Sequence, residues 1–207
     1  MFDILQVMGR PHPESKVPAS ITCCTTWPEF SEGRVRRYAA TALYVVTDHV
    51  NRRFDDLFAR DLEGRWNDPM SPERYWFGAF GRLKADKVRR TFQGIARHLS
   101  NPSLKIVCDD GLSSYARALP GIQRITLGRS WRTPETGVDP DGERVQTFVH
   151  EAAHICGRTS GLAEANFYGR SGAHTLTRWR MRATRNADNY GYYAVDLPDW
   201  ADRAILS

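Results

Sequence analysis

The sequence predicts a single α+β domain that is mainly helical and carries a small β-sheet. Three long segments repeat apolar residues at helical spacing, and two short apolar runs are separated by turn residues. The helical segments are residues 33–60, 80–100 and 141–157, and the runs are Leu104 to Cys108 and Gln123 to Gly128. A chain of 207 residues, 41% of them hydrophobic and 26% charged, is long enough to enclose one well-packed core.

Residues 1–30 are predicted to form an extended arm laid on a domain that spans residues 31–207. The arm contains four prolines and little periodicity, and one short strand is expected from Ile21 to Thr25. Its first eight residues lack a basic start followed by a long apolar run, so no classical signal peptide is expected. No segment is apolar enough over its length to predict a membrane span.

Further sequence signals predict where a helix begins, where a loop lies and which apolar residues share one helical face. Ser71 is a cap residue and Pro72 occupies the first helical position, which together indicate a helix start. Residues 129–142 are polar and marked by Pro and Gly, so a loop is predicted there. The helix at 33–60 places these residues broadly in phase: Tyr38, Leu43, Val46, Val50, Phe54, Leu57 and Phe58.

The segment His150-Glu151-Ala152-Ala153-His154 combines the residue types, spacing and helical context of a hydrolytic metal site. Histidines four residues apart lie on one face of a helix and can place two imidazole nitrogens on one tetrahedral Zn²⁺. Glu151 can take the proton of a water molecule and pass it on. Asp141 as N-cap and Gly157 as C-terminal stop frame this helix. A chance match is the alternative, which the capped amphipathic helix disfavours.

Two histidines leave the metal site incomplete, because catalytic zinc usually has three protein ligands and a fourth position for water. The candidates for the third ligand are Glu164, His174 and Asp188. Glu164 lies ten residues beyond His154 and just after a predicted turn, so the chain can fold back under the metal.

The four cysteines are too few and too irregularly spaced for a disulfide framework or a four-thiolate zinc site. They are Cys23, Cys24, Cys108 and Cys156. Free thiols are expected, and a bridge from Cys23 or Cys24 to Cys108 is the alternative.

The segments after the motif resemble those of the deuterolysin-type metallopeptidases, the aspzincins, which include the peptidyl-Lys metalloendopeptidases. That family has an HExxH helix, a downstream GTxDxxYG segment and a C-terminal Asn-Ala-Asp-x-Tyr helix. The corresponding segments here are HEAAH at 150–154, GLAEANFYG at 161–169 and NADNYGYYA at 186–194. Upstream, RYWFG at 74–78, Lys87-Val88 and Ile125-Thr126-Leu127 follow the family's order of elements, so the resemblance covers roughly residues 35–195.

The resemblance implies a zincin-like metallopeptidase fold, bound Zn²⁺ and residue roles beyond the motif. Glu164 corresponds to the family's third ligand, an aspartate, with one extra residue before it. Tyr168 corresponds to the tyrosine that hydrogen-bonds the oxyanion, whereas Phe167 occupies the strict family spacing. Asp188 corresponds to the acidic residue that receives a substrate lysine in the peptidyl-Lys members. For Asp188, a helix cap or an exposed position is the alternative.

The activity expected from this resemblance is zinc-dependent endopeptidase hydrolysis of peptide bonds through a metal-activated water. A protein or peptide substrate and a preference for lysine or another basic residue follow. The strand Ile125 to Leu127 is expected at a sheet edge that pairs with substrate backbone. Trp131 is expected as a partly buried loop residue, and a position lining the same groove is the alternative. The missing signal fits a bacterial toxin or effector exported by a signal-independent route, with an inhibitor or immunity protein as partner, or a domain of a longer protein.

Two alternatives belong to other functional classes. A zinc-binding fold without activity is suggested by the irregular spacing of the third ligand. Binding of nucleic acid or another polyanion is suggested by a basic stretch, which contains Arg170, His174, Arg178, Trp179, Arg180, Arg182 and Arg185. The net charge of +5 arises from 29 basic and 24 acidic residues spread through the chain, which argues against nucleic-acid binding on the basis of charge alone. A solvated helix face explains the basic stretch more simply, because no recognised nucleic-acid module surrounds it.

Overall fold

Helices form most of the fold in this computed structural model, which describes residues 17, 20–22, 27, 30–134, 139–159, 167–179 and 181–203. In chain order the α-helices are α1 Glu32–Tyr44, α2 Arg52–Ala59, α3 Leu62–Asn67, α4 Pro72–Phe77, α5 Arg82–Leu99, α6 Arg129–Arg132, α7 Pro140–Ile155, α8 Gly169–Thr175 and α9 Ala187–Arg203. Short 3₁₀ turns at Leu176–Arg178 and Ala183–Arg185 separate α8 from α9. Within the described ranges, no helix is both long and apolar enough to cross a membrane.

The helix predicted at 33–60 is present, but its middle is wound differently from its ends. The segment Val45–Asn51 is π-helical and joins α1 to α2. Within it, the hydroxyl of Thr47 donates to the carbonyls of Leu43 and Tyr44, a side-chain contact that competes with the regular backbone ladder. A π turn takes up one more residue than an α turn. This shift explains why the apolar residues of 33–60 are only broadly in phase with a single α-helix.

A four-stranded sheet lies beside the helices. Its strands are β1 Ser20–Thr22, β2 Lys105–Cys108, β3 Ala116–Ala118 and β4 Arg124–Leu127, in the order β1-β2-β4-β3. Three strands are parallel, and β3 runs antiparallel to β4. The mainly helical α+β prediction is therefore confirmed. The expected edge position of Ile125 to Leu127 is wrong, because β3 covers that side of β4; the three residues of β3 include no β-branched side chain that would predict a strand.

The described residues of the predicted N-terminal arm pack onto the domain. Val17, Ile21, Trp27 and Phe30 are all buried, and β1 adds to the sheet beside β2. The strand begins one residue before the predicted one, whose last three residues lie outside the described part of the chain. The boundary between residues 30 and 31 stays a prediction.

Trp131 is held deeper than the sequence suggested. It belongs to α6, a short helix inside the segment predicted as a loop, and its side chain is fully buried. Its indole stacks on Trp27, with ring centroids 6.3 Å apart, and contacts Phe148 edge-on at 6.0 Å. The polar residues of 129–142 predict a loop, but the buried side chain of Trp131 packs the start of this segment against the core.

The helix α7 is central, because it packs against α1, α5 and α9. Its cap is Asp139, whose carboxylate accepts the amide of Asp141 at 3.1 Å, so Asp141 is not the N-cap as predicted. Asp141 instead accepts the Tyr38 hydroxyl and pairs with Arg144 at 3.0 Å. At the other end, Gly157 has a φ of +63°, the left-handed conformation that glycine adopts most easily and that ends helices.

Candidate active site

The helix α7 presents its two histidines to a cleft of about 920 Å³. The walls of this cleft are α7, the segment 114–118 that contains β3, and the starts of α8 and α9. The opposite face of α7 is packed into the core through Val145, Phe148, Val149 and Ala152. The predicted helical phase therefore directs the histidines to the cleft and the apolar residues to the interior.

The Nδ1 atom of each histidine, His150 and His154, lies within hydrogen-bond distance of a polar side chain. The Nδ1 atom of His150 lies 2.7 Å from a carboxylate oxygen of Asp188, and Nδ1 of His154 lies 3.1 Å from the hydroxyl of Thr159. The two Nε2 atoms face each other 3.1 Å apart. Because the ionised carboxylate of Asp188 can only accept, His150 donates from Nδ1. In the neutral form of the ring, Nε2 then carries the lone pair that a metal ion requires.

This arrangement fits a zinc ion. Two nitrogen ligands at about 2.0–2.1 Å from a tetrahedral Zn²⁺ stand about 3.3 Å apart, close to the observed separation of the Nε2 atoms. Among the described residues, no group of three or more His, Cys, Asp or Glu side chains is placed to hold an ion. Glu164, the expected third ligand, lies outside the described residues.

The other two candidates for the third ligand have different surroundings. The ring of His174 contacts Tyr75, with centroids 4.4 Å apart, and does not line the cleft. Asp188 lines the cleft, but it contacts His150 through the ring nitrogen that faces away from His154. The structure therefore brings Asp188 to the site behind His150 and leaves His174 away from it.

Asp188 is a buried carboxylate with several donors around it. It accepts from His150, from the side-chain amide of Gln146 at 3.1 Å and from the backbone N–H of Gly169 at 2.8 Å. Burial alone would raise the pKa of Asp188, but the attraction of His150 and these hydrogen bonds lower it below its ordinary value. The helix cap is Asn186, whose side chain accepts the amide of Asp188 at 2.9 Å. Neither a cap role nor an exposed position describes Asp188, and its predicted contact with a substrate lysine stays a prediction.

Glu151 and Tyr168 both line the cleft, at different depths. Glu151 is 4% exposed and follows His150 directly, whereas Tyr168 is 66% exposed and immediately precedes α8. Phe167 packs against Trp179 instead, with ring centroids 5.8 Å apart. The chain thus turns the later of the two aromatic residues to the cleft, which agrees with the one-residue shift expected for Tyr168. Its contact with an oxyanion stays a prediction.

The basic stretch is partly engaged within the protein. Arg170 pairs with Asp196 at 2.6 Å, and its guanidinium lies 4.7 Å from the ring centre of Tyr192. The guanidinium of Arg182 lies 5.1 Å from the ring centre of Trp179. These contacts favour the interpretation of the stretch as a structured helical surface.

Several residues of the cleft are not among those predicted from the sequence. Glu143 and Gln146 precede His150 by seven and four residues, so the helical period that was used for the histidines places them on the same face. Tyr192 follows Asp188 by one turn of α9 and could have been found in the same way. Thr159 carries no such signal, because it lies beyond the glycine stop of α7. The thiol of Cys156 is free, as expected, and Cys108 is buried. Cys23 and Cys24, the alternative disulfide partners of Cys108, lie outside the described residues, so that pairing stays a prediction.

The family model and the two relatives matched by sequence are all described as peptidases or proteases. A family model described as lysine-specific metallo-endopeptidase matches residues 68–195. An extracellular protease of Aeromonas hydrophila is 30% identical over 138 residues, which are 63% of this chain and 38% of that protein. A peptidyl-Lys metalloendopeptidase of Armillaria mellea is 34% identical over 137 residues, 62% of this chain and 36% of that protein. The chain therefore spans under two fifths of the length of these curated relatives.

The fold also matches a solved structure. A zinc peptidase from Grifola frondosa superposes with a TM-score of 0.58 and 24% sequence identity. The match covers 82% of this chain and 98% of that one. At this level of identity the likeness concerns the fold.

Proposed function

Since this chain belongs to the lysine-specific metallo-endopeptidase family, whose model matches more than half of it, we propose that it is a zinc-dependent endopeptidase. The observation that carries this proposal is the convergence of the two Nε2 atoms, 3.1 Å apart, beside the buried Glu151 in an open cleft. A site that only stabilised the fold would be closed, whereas a catalytic zinc site keeps an open position.

The proposed chemistry assigns one task to each side chain. His150 and His154 would hold the zinc ion, with Glu164 as the proposed third ligand. When bound, Zn²⁺ supplies a Lewis acid that polarises the scissile carbonyl and lowers the pKa of water. Glu151 accepts a proton from the attacking water and delivers it to the leaving amine. Tyr168 donates its hydroxyl to the oxyanion that develops on the carbonyl oxygen.

The strand β3 is the proposed platform for the substrate backbone. One side of β3 is paired with β4, and residues 114–118 line the cleft. The outer edge of a strand offers backbone donors and acceptors to an extended peptide. A peptide added there would run past His150 and Glu151, which face the same cleft. This role replaces the one predicted for Ile125 to Leu127.

We propose that the preferred substrate carries a basic residue near the cleaved bond. The family description and the name of the Armillaria relative both specify lysine. Among the described residues, Glu143 and Asp188 are carboxylates that line the cleft besides Glu151. Export by a signal-independent route, a toxin or effector role and an inhibitor or immunity partner stay predictions from the sequence.

The proposed function is tested by zinc content and by cleavage of a mixed peptide library. We expect stoichiometric zinc, cleavage that a chelator abolishes and recovery when zinc is returned, because the bound ion supplies the electrophile. Stoichiometric zinc without cleavage of any peptide would support the inactive zinc-binding alternative. Polyanion binding that weakens with salt and survives chelation would instead support a role for the basic stretch.

The same measurement identifies the third ligand. Glu164→Ala should lower zinc occupancy, because it leaves only two protein ligands for the ion. His174→Ala is the matched control, since its ring contacts Tyr75 away from the cleft. Full occupancy in Glu164→Ala would remove Glu164 from the ligand set.

Asp188 is proposed to position His150, and its replacement should weaken zinc binding. Asp188→Ala removes the acceptor that fixes the His150 ring, and such partners behind a metal ligand typically contribute about 10- to 100-fold in affinity. A smaller loss is expected for Asp188→Asn, which keeps one acceptor oxygen. Zinc affinity is measured by competition with a chelator, and Asp55→Asn, on α2, is the control. Unchanged zinc affinity together with lost selectivity for lysine peptides would return Asp188 to the substrate-binding role.

A further inference from the structure

Glu143 shares the cleft with the candidate metal ligands but has no part in the chemistry described so far. It lies seven residues before His150 on α7, which is about 10.5 Å along the helix axis and close to two full turns. Its side chain therefore lies on the same face as His150, and both line the cleft. A carboxylate in this position is available to a bound peptide.

In the part of the chain that the structure describes, few hydrogen-bond donors face the Glu143 carboxylate. Among the described residues, its hydrogen-bond donor is the hydroxyl of Tyr192 at 3.4 Å, longer than an ordinary O–H···O bond. Burial raises the pKa of Glu143; Arg170 opposes this rise and Asp188 adds to it. Arg170 is itself anchored, because it pairs with Asp196 and lies over the ring of Tyr192.

Asp188, the residue predicted from the sequence to bind a substrate cation, already accepts several hydrogen bonds within the protein. One of its oxygens accepts from His150 and Gln146, and the other accepts from the backbone N–H of Gly169. A cation bound by Asp188 would have to compete with these donors. Of the two carboxylates, Glu143 retains the accepting capacity that a substrate cation requires.

We propose that Glu143 is a specificity-determining residue of this cleft, accepting the ammonium or guanidinium group of a basic substrate side chain. The inference rests on the proposed function, because it takes the cleft as the binding site of a peptide. A substrate cation would supply the charge-assisted hydrogen bonds that the carboxylate lacks. An extended peptide advances about 3.3 Å per residue, and Glu143 lies about 10.5 Å from His150 along α7, so the basic side chain belongs to a residue within about three positions of the cleaved bond.

The test compares peptides that differ at one position near the cleaved bond, which holds lysine, glutamine or glutamate. We expect the native chain to prefer lysine in kcat/KM. Glu143→Gln should reduce the ratio of kcat/KM for the lysine peptide to kcat/KM for the glutamine peptide about 10- to 100-fold. This factor corresponds to the typical contribution of a hydrogen bond to a charged group. Glu143→Lys should shift the preference towards the glutamate peptide. Glu63→Gln, an exposed acid-to-amide change on α3, is the matched control and should leave the ratio as it is.

A structural role for Glu143 would give a different result, because misfolding lowers kcat/KM for all three peptides by the same factor. Equal losses, or an unchanged ratio in Glu143→Gln, would overturn the proposal. Binding of the same peptides to the Glu151→Gln variant separates this proposal from the peptidase proposal. Lysine-selective binding that depends on Glu143, without hydrolysis by the native chain, would support the specificity role and refute only the proposed activity.

Discussion

The replacement Glu151→Gln is expected to abolish peptide hydrolysis while zinc stays bound. Glutamine has nearly the shape of glutamate, so the packing of this 4% exposed side chain is preserved. It cannot accept a proton from water, and loss of a general base typically lowers the rate about 10²- to 10⁴-fold. The measurement is kcat/KM on the best peptide of the library, together with the zinc content of both proteins.

Two further variants show whether this effect is specific. His150→Ala should lose both zinc and hydrolysis, because it removes a proposed ligand and leaves His154 alone on that face. Glu63→Gln makes the same chemical change at an exposed position on α3 and should leave kcat/KM within about twofold of the native value. Hydrolysis at the native rate by Glu151→Gln would remove Glu151 from the role of general base.

The helical face that holds the candidate site could be predicted because it depends on local periodicity. The spacing of His150 and His154 fixes their common face in any α-helix, and Gly157 ends that helix for a local backbone reason. The resemblance of the flanking segments to the aspzincins is confirmed by the family match over residues 68–195. The common face of residues that lie on one helix can therefore be predicted from the sequence alone.

The remaining features depend on contacts between distant segments. The edge strand β3 is three residues long and is defined by its pairing with β4. The position of Asp188 behind His150 requires α9 to pack on α7, and sequence alone left its role open between substrate binding, a third ligand and a cap. Asp141 was predicted as a cap from its residue type, but Tyr38 and Arg144 engage its carboxylate. Tertiary partners decided each of these cases.

The largest effect on stability is expected at Glu73, a fully buried carboxylate at the start of α4. It accepts two hydrogen bonds from Arg53 at 3.0 and 3.1 Å, one from Ser71 at 2.6 Å and one from Tyr193 at 2.7 Å. Burial and the charge of Glu73 raise the pKa of Tyr193 well above its ordinary value, so its hydroxyl remains a donor. All four contacts converge on one side chain.

Glu73→Ala should lower the free energy of unfolding by about 3–5 kcal/mol, because it leaves Arg53 and the buried Tyr193 hydroxyl without their acceptor. For a domain of this size the melting temperature falls by about 2–4 °C per kcal/mol, which thermal unfolding measures directly. Glu63→Ala, on the surface of α3, should change the stability by no more than about 0.5 kcal/mol. A comparably small change in Glu73→Ala would contradict the network.

A double-mutant cycle distinguishes a connected network from loss of packing. Tyr193→Phe removes the hydroxyl that donates to Glu73, so it should cost stability in the native chain and much less in the Glu73→Ala background. Equal costs in both backgrounds would show that Tyr193 acts through packing alone. Tyr193 lies on α9, the helix that carries Asp188, and Glu73 therefore links α4 and α2 to the helix behind His150. Weaker zinc binding in Glu73→Ala at temperatures where it remains folded would follow if this link also fixes the position of Asp188.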